Sequence, residues 1–336
     1  MHKFERNLLT EWRKLDLPFN DARYLIAVSG GADSICLSYA LFRLKCKNKI
    51  KTDFIIAHYN HNLRGKDSFK DAEFVKAYAD NIDFKFFQAA ADKGVFDNKN
   101  LEQAARAARY EFLSRTAQEY DCKYICTAHT QNDQAETLLI NLIRGSGLQG
   151  LSGIKSKRIL LNALNCEINL IRPLISWAEK SDILKYASDN DIGFVTDKMN
   201  FDEKFRRVSV RNKLLPFLEK YNSNIVKTLS ETAEILGNEN DLIDNLLNAD
   251  DDFCRKFRKK ELKISELKEC SRAELFRGLR FWLQIKRGNL NKISNKHLEA
   301  IRNLITSRRS GKYIELPDLK KIEKSKGLLI YKNNQG

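Results

Sequence analysis

Proline is scarce in this 336-residue chain, at 4 residues, and glycine is modest at 15. That excludes a collagen-like or long low-complexity chain. No Cys-x-x-Cys pair occurs, and the seven cysteines (Cys36, Cys46, Cys122, Cys126, Cys166, Cys254 and Cys270) are odd in number. Reduced, mostly buried thiols are expected instead of a disulfide framework. Cys122 and Cys126 lie on an apolar run, where packing is the expected role. No apolar run is long enough to cross a bilayer, and the opening MHKFERNLLTEWRKL is charged and amphipathic, with no signal core. A cytoplasmic protein without a membrane partner is therefore expected. No internal repeat occurs, and the glycine turn at 29–34 has neither the GxxxxGK[ST] nor the GxGxxG spacing.

What is present in excess is positive charge. The formal net charge is +15 and the isoelectric point about 9.4. Residues 1–200 carry 29 basic and 25 acidic side chains, and residues 201–336 carry 30 and 19. The surplus thus lies in the last two-fifths of the chain. A separate basic module for a polyanion such as nucleic acid explains this better than a uniform bias.

The first 150 residues alternate strand and helix patterns. Apolar runs at Tyr24–Val28, Asp53–Ala57, Phe84–Gln88 and Lys123–Thr127 read as strands. Helical patterns follow Ser29-Gly-Gly and fill 68–80, 100–120 and 133–143. This alternation predicts a parallel sheet covered on both faces, an α/β class. Residues 158–172 read as a hairpin around Asn165. Ser176–Glu179 reads as a capping box opening a helix to about Asp189, and Ser271–Glu274 as another. From Tyr221 the chain reads mainly helical, with a short β element at the end. The expected division is 1–220 as the catalytic domain and 221–336 as a smaller, basic, mostly helical domain.

The strongest chemical signal is SGGADS, from Ser29 to Ser34, where an apolar strand turns into a helix. Gly30 and Gly31 permit a sharp turn and close approach to a ligand. The helix start at Ala32 offers free amides and a positive dipole end. Ser29 and Ser34 add hydroxyl donors. Asp33 would repel phosphate without a cation between them, which implies Mg²⁺ at that carboxylate. His58, His61 and Arg64 follow the second strand, where α/β proteins bind ligands. No third or fourth ligand suggests zinc there. Arg106 and Arg109 share a helix face, and so do Asp133 and Glu136, three apart just after His129. Two such acids could bind ammonium groups or metal, or simply complement the helix dipole.

SGGxDS resembles the PP-loop of ATP pyrophosphatases. HYNHNLR (58–64), NLEQAARAARYEFL (100–113), AHTQNDQAETLLINLIRGSGLQGLSGI (128–154), RRVSVRNKLLPFLEKYN (206–222) and SGKYIELPD (310–318) resemble, in order, blocks of the lysidine synthetases. Thr130 stands where that pattern has His, and Asn132 where it has Asp. The resemblance implies an adenine-nucleotide alpha-hydrolase-like PP-loop domain that takes ATP and Mg²⁺. It implies that free L-lysine is ligated to C2 of the wobble cytidine in the CAU anticodon of tRNA(Ile), through an adenylated tRNA, releasing AMP and pyrophosphate. Asp33, Arg109, Asp133 and Glu136 are then the expected catalytic residues. Ser29, Gly30, Gly31, Ala32, Asp33, Ser34, His58 and His129 would hold ATP. Arg106, Arg109, Asp133 and Glu136 would hold lysine. His61, Arg64, Arg144, Arg206, Arg207 and Arg211 would meet tRNA. A homodimer is one arrangement carried alongside. Many family members continue into a further C-terminal domain, for which no sequence remains, so a short form or a truncated chain is expected. Two rivals are a tRNA thiolase on the same loop, which usually needs the missing CxxC, and a non-catalytic RNA-binding scaffold.

Overall fold

A computed structural model describes residues 1–62, 66–91, 101–161, 167–196 and 206–333. The chain forms α1 (Lys3–Lys14), β1 (Asn20–Ala27), α2 (Ala32–Cys46), β2 (Lys51–Asn60), α3 (Lys66–Asn81), β3 (Lys85–Ala90), α4 (Leu101–Glu119), β4 (Tyr124–Cys126), α5 (Gln131–Ile143), α6 (Leu148–Leu151), β5 (Lys157–Leu161), β6 (Glu167–Ile171) and α7 (Lys180–Asp189). After these come α8 (Arg206–Ser209), a π-helical turn (Val210–Leu214), α9 (Leu215–Glu219), α10 (Ile225–Ala249), α11 (Asp251–Phe257), β7 (Leu262–Lys263), α12 (Ile264–Lys268), α13 (Arg272–Arg287), α14 (Asn295–Thr306), β8 (Tyr313–Leu316), β9 (Lys320–Ser325) and β10 (Leu328–Asn333).

The first sheet has the order β3-β2-β1-β4-β6-β5. All neighbours are parallel except β5, which runs antiparallel to β6. The hairpin expected at 158–172 is therefore the outer edge of the main sheet. Period-two alternation sorts the side chains of β1 and β2. Tyr24, Ile26, Phe54 and Ile56 pack on one face with α1, α2 and α7, while Leu25, Ile55 and Ala57 face Phe112, Leu113 and Ala117 of α4. Both faces are covered, so the central strands are apolar on both sides. The chain leaves β1 towards β2 on one side and reaches β4 on the other. The carboxyl ends of β1 and β4 thus flank the switch point where open α/β sheets bind ligands.

Two sequence expectations need correction in detail. The helix after Ser176 starts later, because Leu174 to Ala178 form a tight turn closed by the Ala178 N–H on the Leu174 carbonyl at 2.9 Å. Glu179 is the N-cap, in a reciprocal box with Asp182. The Ser271 box is as read: Ser271 N–H donates to Glu274 Oε2 at 2.8 Å. The compact units divide at Asn238/Glu239, inside α10, and not at the Tyr221 turn. The reason is packing: Val226, with Ile225 and Leu229, sits in one apolar cluster with Ala135, Leu139, Val210 and Leu215. The first turns of α10 belong to the first unit. Among the described residues no helix is long and apolar enough to cross a membrane.

The second unit, Glu239–Gly336, packs α11 to α14 on an antiparallel sheet of order β7-β10-β9-β8. Its core centres on Phe257, Trp282, Leu279 and Ile301. α13 passes so close to Phe257 that a Cβ on Gly278 would sit 2.2 Å from the ring. Neither the ring nor the helix backbone can move that far cheaply. Gly278→Ala is expected to lower unfolding stability by about 1–3 kcal/mol, the usual cost of overpacking. Urea melts would show this, and an unchanged midpoint would contradict the packing described.

Candidate active site

The SGGADS turn is built by its own backbone demands. Gly30 has φ +94°, a conformation L side chains rarely adopt, and a Cβ there would also press to 3.3 Å from Val75. Ser34 Oγ accepts from Ser29 N–H at 3.1 Å and donates to the Gly31 carbonyl at 3.0 Å. Gly31 N-caps α2 without any side-chain acceptor. The first amides of α2 are therefore free of a side-chain cap, at the positive end of a 15-residue helix. Val195 N–H on the Gly30 carbonyl at 2.9 Å fixes the outer wall of the turn.

Two cavities open here. One, of about 260 Å³, lies between the ends of β1 and β4 and is lined by Ser29, Gly31, Asp33, Ser34, His61, Arg109 and His129. The other, of about 650 Å³, shares Ser29, Gly31, Asp33 and Arg109 and continues to Asn132, Asp133, Lys180, Arg207 and Arg211. The phosphate turn and Asp133 thus face one continuous crevice.

Glu136 is fully buried. Arg207 Nε donates to its Oε2 at 2.6 Å, and Arg211 Nε to its Oε1 at 2.6 Å. Arg207 Nη2 also donates to Asp133 Oδ1 at 2.7 Å. Asp133 Oδ2 accepts from Thr130 N–H at 2.8 Å, which caps α5. Burial works to raise the Asp133 pKa, but Arg207, His129, the Thr130 amide and Arg211 outweigh it and hold it below the usual carboxylate range. Val210 and Leu215 pack on Ala135 and Leu139, which seats Arg207 and Arg211 over the acidic face of α5. Removing one partner from such a buried ionic cluster typically costs about 3–5 kcal/mol.

Asp33 is paired with Lys180, Nζ to Oδ1 at 2.6 Å. Burial nevertheless raises the Asp33 pKa, with Asp133 adding repulsion and Lys180 and Arg211 opposing it. Lys180 is 47% exposed and Asp33 33%, and such a pair is worth about 0–1 kcal/mol. Asn132 Oδ1 accepts from the Lys180 N–H at 2.9 Å. The two departures from the family pattern are thereby accommodated: Thr130 caps α5, and Asn132 supplies the acceptor a carboxylate would also supply. For Mg²⁺, Asp33 is the carboxylate at the phosphate turn, and Asp71 and Asp133 also line the larger cavity. Among the described residues no group of three or more His, Cys, Asp or Glu is assembled. That suits a Mg²⁺ that keeps its waters and arrives with phosphates, not an all-protein cage.

The histidines are held neutral. Burial lowers the pKa of His61 to about 4, helped by Arg109 and His58. Burial also lowers that of His129, with Asp133 opposing and Arg172, Arg109 and Arg106 reinforcing. His58 is 4% exposed and points to the other face of β2 from Ala57 and Tyr59. Its Nδ1 donates to the Val28 carbonyl at 2.9 Å, so it braces the strand leading into the turn. It lines neither cavity. Arg106 is exposed and its Nη2 donates to the Tyr110 hydroxyl at 3.4 Å. Arg144 and Arg206 are exposed. Arg64 lies outside the described residues. Sequence reasoning missed Lys180, which lies 147 positions from Asp33 with no local signal linking them. It also missed that Arg207 and Arg211, spaced i,i+4, match the i,i+3 spacing of Asp133 and Glu136.

A PP-loop domain model matches residues 2–218, and a TilS substrate binding domain model matches residues 262–330. The chain belongs to the PP-loop family. It is similar to tRNA(Ile)-lysidine synthases of Clostridium acetobutylicum (33% identity, 88% of this chain, 63% of that one) and Clostridium tetani (32%, 88% and 62%). That of Caldanaerobacter subterraneus is similar too (32%, 90% and 64%). The chain thus spans less than two thirds of these relatives' length. Among solved structures, the U34-tRNA thiolase NcsA from Methanococcus maripaludis, with its [4Fe-4S] cluster, shares the fold. Its TM-score is 0.57 at 18% identity, covering 70% of this chain and 79% of that one.

Two acids of the crevice, Asp33 and Asp133, should respond oppositely to pH. Asp33 has a raised pKa in the fold, so its ionisation costs stability as pH rises through that value. Asp33→Asn should raise Tm at neutral pH, and the gain should fade below about pH 4, the unperturbed value. Asp133 has a lowered pKa, so it stabilises above about pH 4 and that stability is lost as pH falls. Asp133→Asn should lower Tm at neutral pH. Thermal melts across pH check both, and equal shifts in one direction would contradict these environments.

Proposed function

We propose that the chain uses ATP to adenylate the C2 oxygen of the wobble cytidine of tRNA(Ile) with a CAU anticodon, and that the ε-amine of free lysine then attacks C2, breaking its bond to that oxygen. AMP and pyrophosphate leave. The observation that carries this reading is the crevice in which the phosphate turn and the acid–arginine cluster share Ser29, Gly31, Asp33 and Arg109. A nucleotide and a diamino acid would meet there.

The α2 amides and the Ser29 and Ser34 hydroxyls bind phosphate oxygens. Asp33 is the carboxylate that would hold Mg²⁺, which supplies charge neutralisation at the phosphates when bound. Arg109 stands where both cavities meet and can steady negative charge building on the transferred group. Asp133 presents a carboxylate to an ammonium, and Arg207 and Arg211 present guanidinium edges to a carboxylate. Glu136, with both oxygens held, acts through those arginines as a positioning residue. Free lysine is almost wholly protonated near neutrality, with a side-chain pKa of about 10.4. Burial, reinforced by the surrounding guanidiniums, keeps His61 and His129 neutral, and the same setting favours the neutral amine, the form that attacks C2. The basic surplus of residues 201–336 supports tRNA as the polyanion. A thiolase reading has no CxxC pair to rest on in this chain.

Radiolabelled lysine should enter tRNA(Ile) only with ATP present, and Asp33→Asn should abolish it. ATP-independent labelling, or none with wild type, would contradict the reading. Affinity for tRNA should fall steeply with salt, each phosphate contact adding about 0.7–0.9 to the log–log slope, while ATP affinity changes little. A flat salt response would contradict an electrostatic tRNA interface.

A further inference from the structure

Lys180 sits at the mouth of the phosphate turn with its main chain fixed and its side chain loosely held. Its N–H is bound by Asn132 Oδ1 at 2.9 Å, and the Glu179–Asp182 box locks the helix start around it. Its ammonium rests on Asp33 Oδ1 at 2.6 Å. Both side chains line the cavity that contains Ser29 and Gly31. The ion pair is solvent-accessible and weak, so another cation can displace it at small cost. Asp133 adds repulsion at Asp33, which a cation beside Asp33 offsets. When phosphates enter, the turn needs more positive charge.

We propose that Lys180 is the mobile cation of the phosphate turn. Without nucleotide it neutralises Asp33. When ATP brings a divalent cation to Asp33, the Lys180 ammonium is released from the carboxylate and takes a phosphate oxygen, pivoting about a backbone that stays anchored to α5. Its four-carbon stem with three donors is suited to such a switch, as a compact point charge on phosphate. The role resembles that of the lysine in other phosphate loops, but the residue here comes from a helix far along the chain. This inference rests on the reading of the crevice as an ATP site.

The test uses the full chain without tRNA or lysine, as wild type, Lys180→Met and Lys180→Arg. Calorimetry measures ATP and AMP affinity with and without Mg²⁺, and electron paramagnetic resonance measures Mn²⁺ binding to the nucleotide-free protein. Lys180→Met should weaken ATP binding at least about tenfold, the loss of one charge-assisted hydrogen bond, and weaken AMP binding less. With the competing ammonium gone, Mn²⁺ should bind the nucleotide-free Met variant more tightly than wild type. Lys180→Arg should keep most ATP affinity. Unchanged ATP affinity in the Met variant, or looser Mn²⁺ binding, overturns the role of Lys180 alone. Wild type that binds no ATP overturns the nucleotide reading as well, which separates the two failures.

Discussion

The organisation of the crevice depends on one buried carboxylate. Glu136 is fully enclosed, and two guanidiniums close on its two oxygens. The same contact fastens the segment 206–219 to α5. It thereby fixes where Arg207 meets Asp133 and where the wall of the larger cavity stands. A buried pair of this kind adds little net stability over an apolar substitute. Its effect is geometric: it sets which charged edges remain for a ligand.

From that cluster the ties run to the phosphate turn. Asp133 caps the first turn of α5, Asn132 beside it holds the start of α7, and α7 delivers Lys180 to Asp33. On the other side, His58 holds the Val28 carbonyl and Val195 holds Gly30. The phosphate turn and the acid–arginine cluster are thus braced by neighbouring residues on three helices, at the switch point of the sheet. Charge is unevenly matched there. Arg106, Arg109 and Arg172 together reinforce burial in keeping His129 neutral.

Much of this was legible in the sequence. The strand-SGGADS-helix pattern located the turn because a positive-φ glycine and an uncapped helix start leave few alternatives. The apolar alternation located the sheet, and the capping box at Ser271 located α13. Asp133 and Glu136 were placed on one helix face by spacing. What spacing could not show was burial. Asp133 reaches the cavity while Glu136 is sealed by Arg207 and Arg211, residues more than 70 positions away. His58, within β2, braces Val28 and lines neither cavity, while His61, just past the end of that strand, lines the smaller one. The division inside α10 escaped because a continuous helix carries no composition break, and only its packing on Val210 and Leu215 shows where the first unit ends.

On the proposed function, Glu136 arranges the lysine half of the crevice through Arg207 and Arg211 and takes no part in holding ATP. Lysine-free formation of adenylated tRNA by Glu136→Gln, followed in a single turnover, tests this most directly. The account predicts adenylation close to wild type, with lysine use weakened by about 1.5–3 kcal/mol, the scale of a lost charge-assisted hydrogen bond. Adenylation that fails while lysine binding survives would contradict it and move Glu136 to the ATP and metal half of the site.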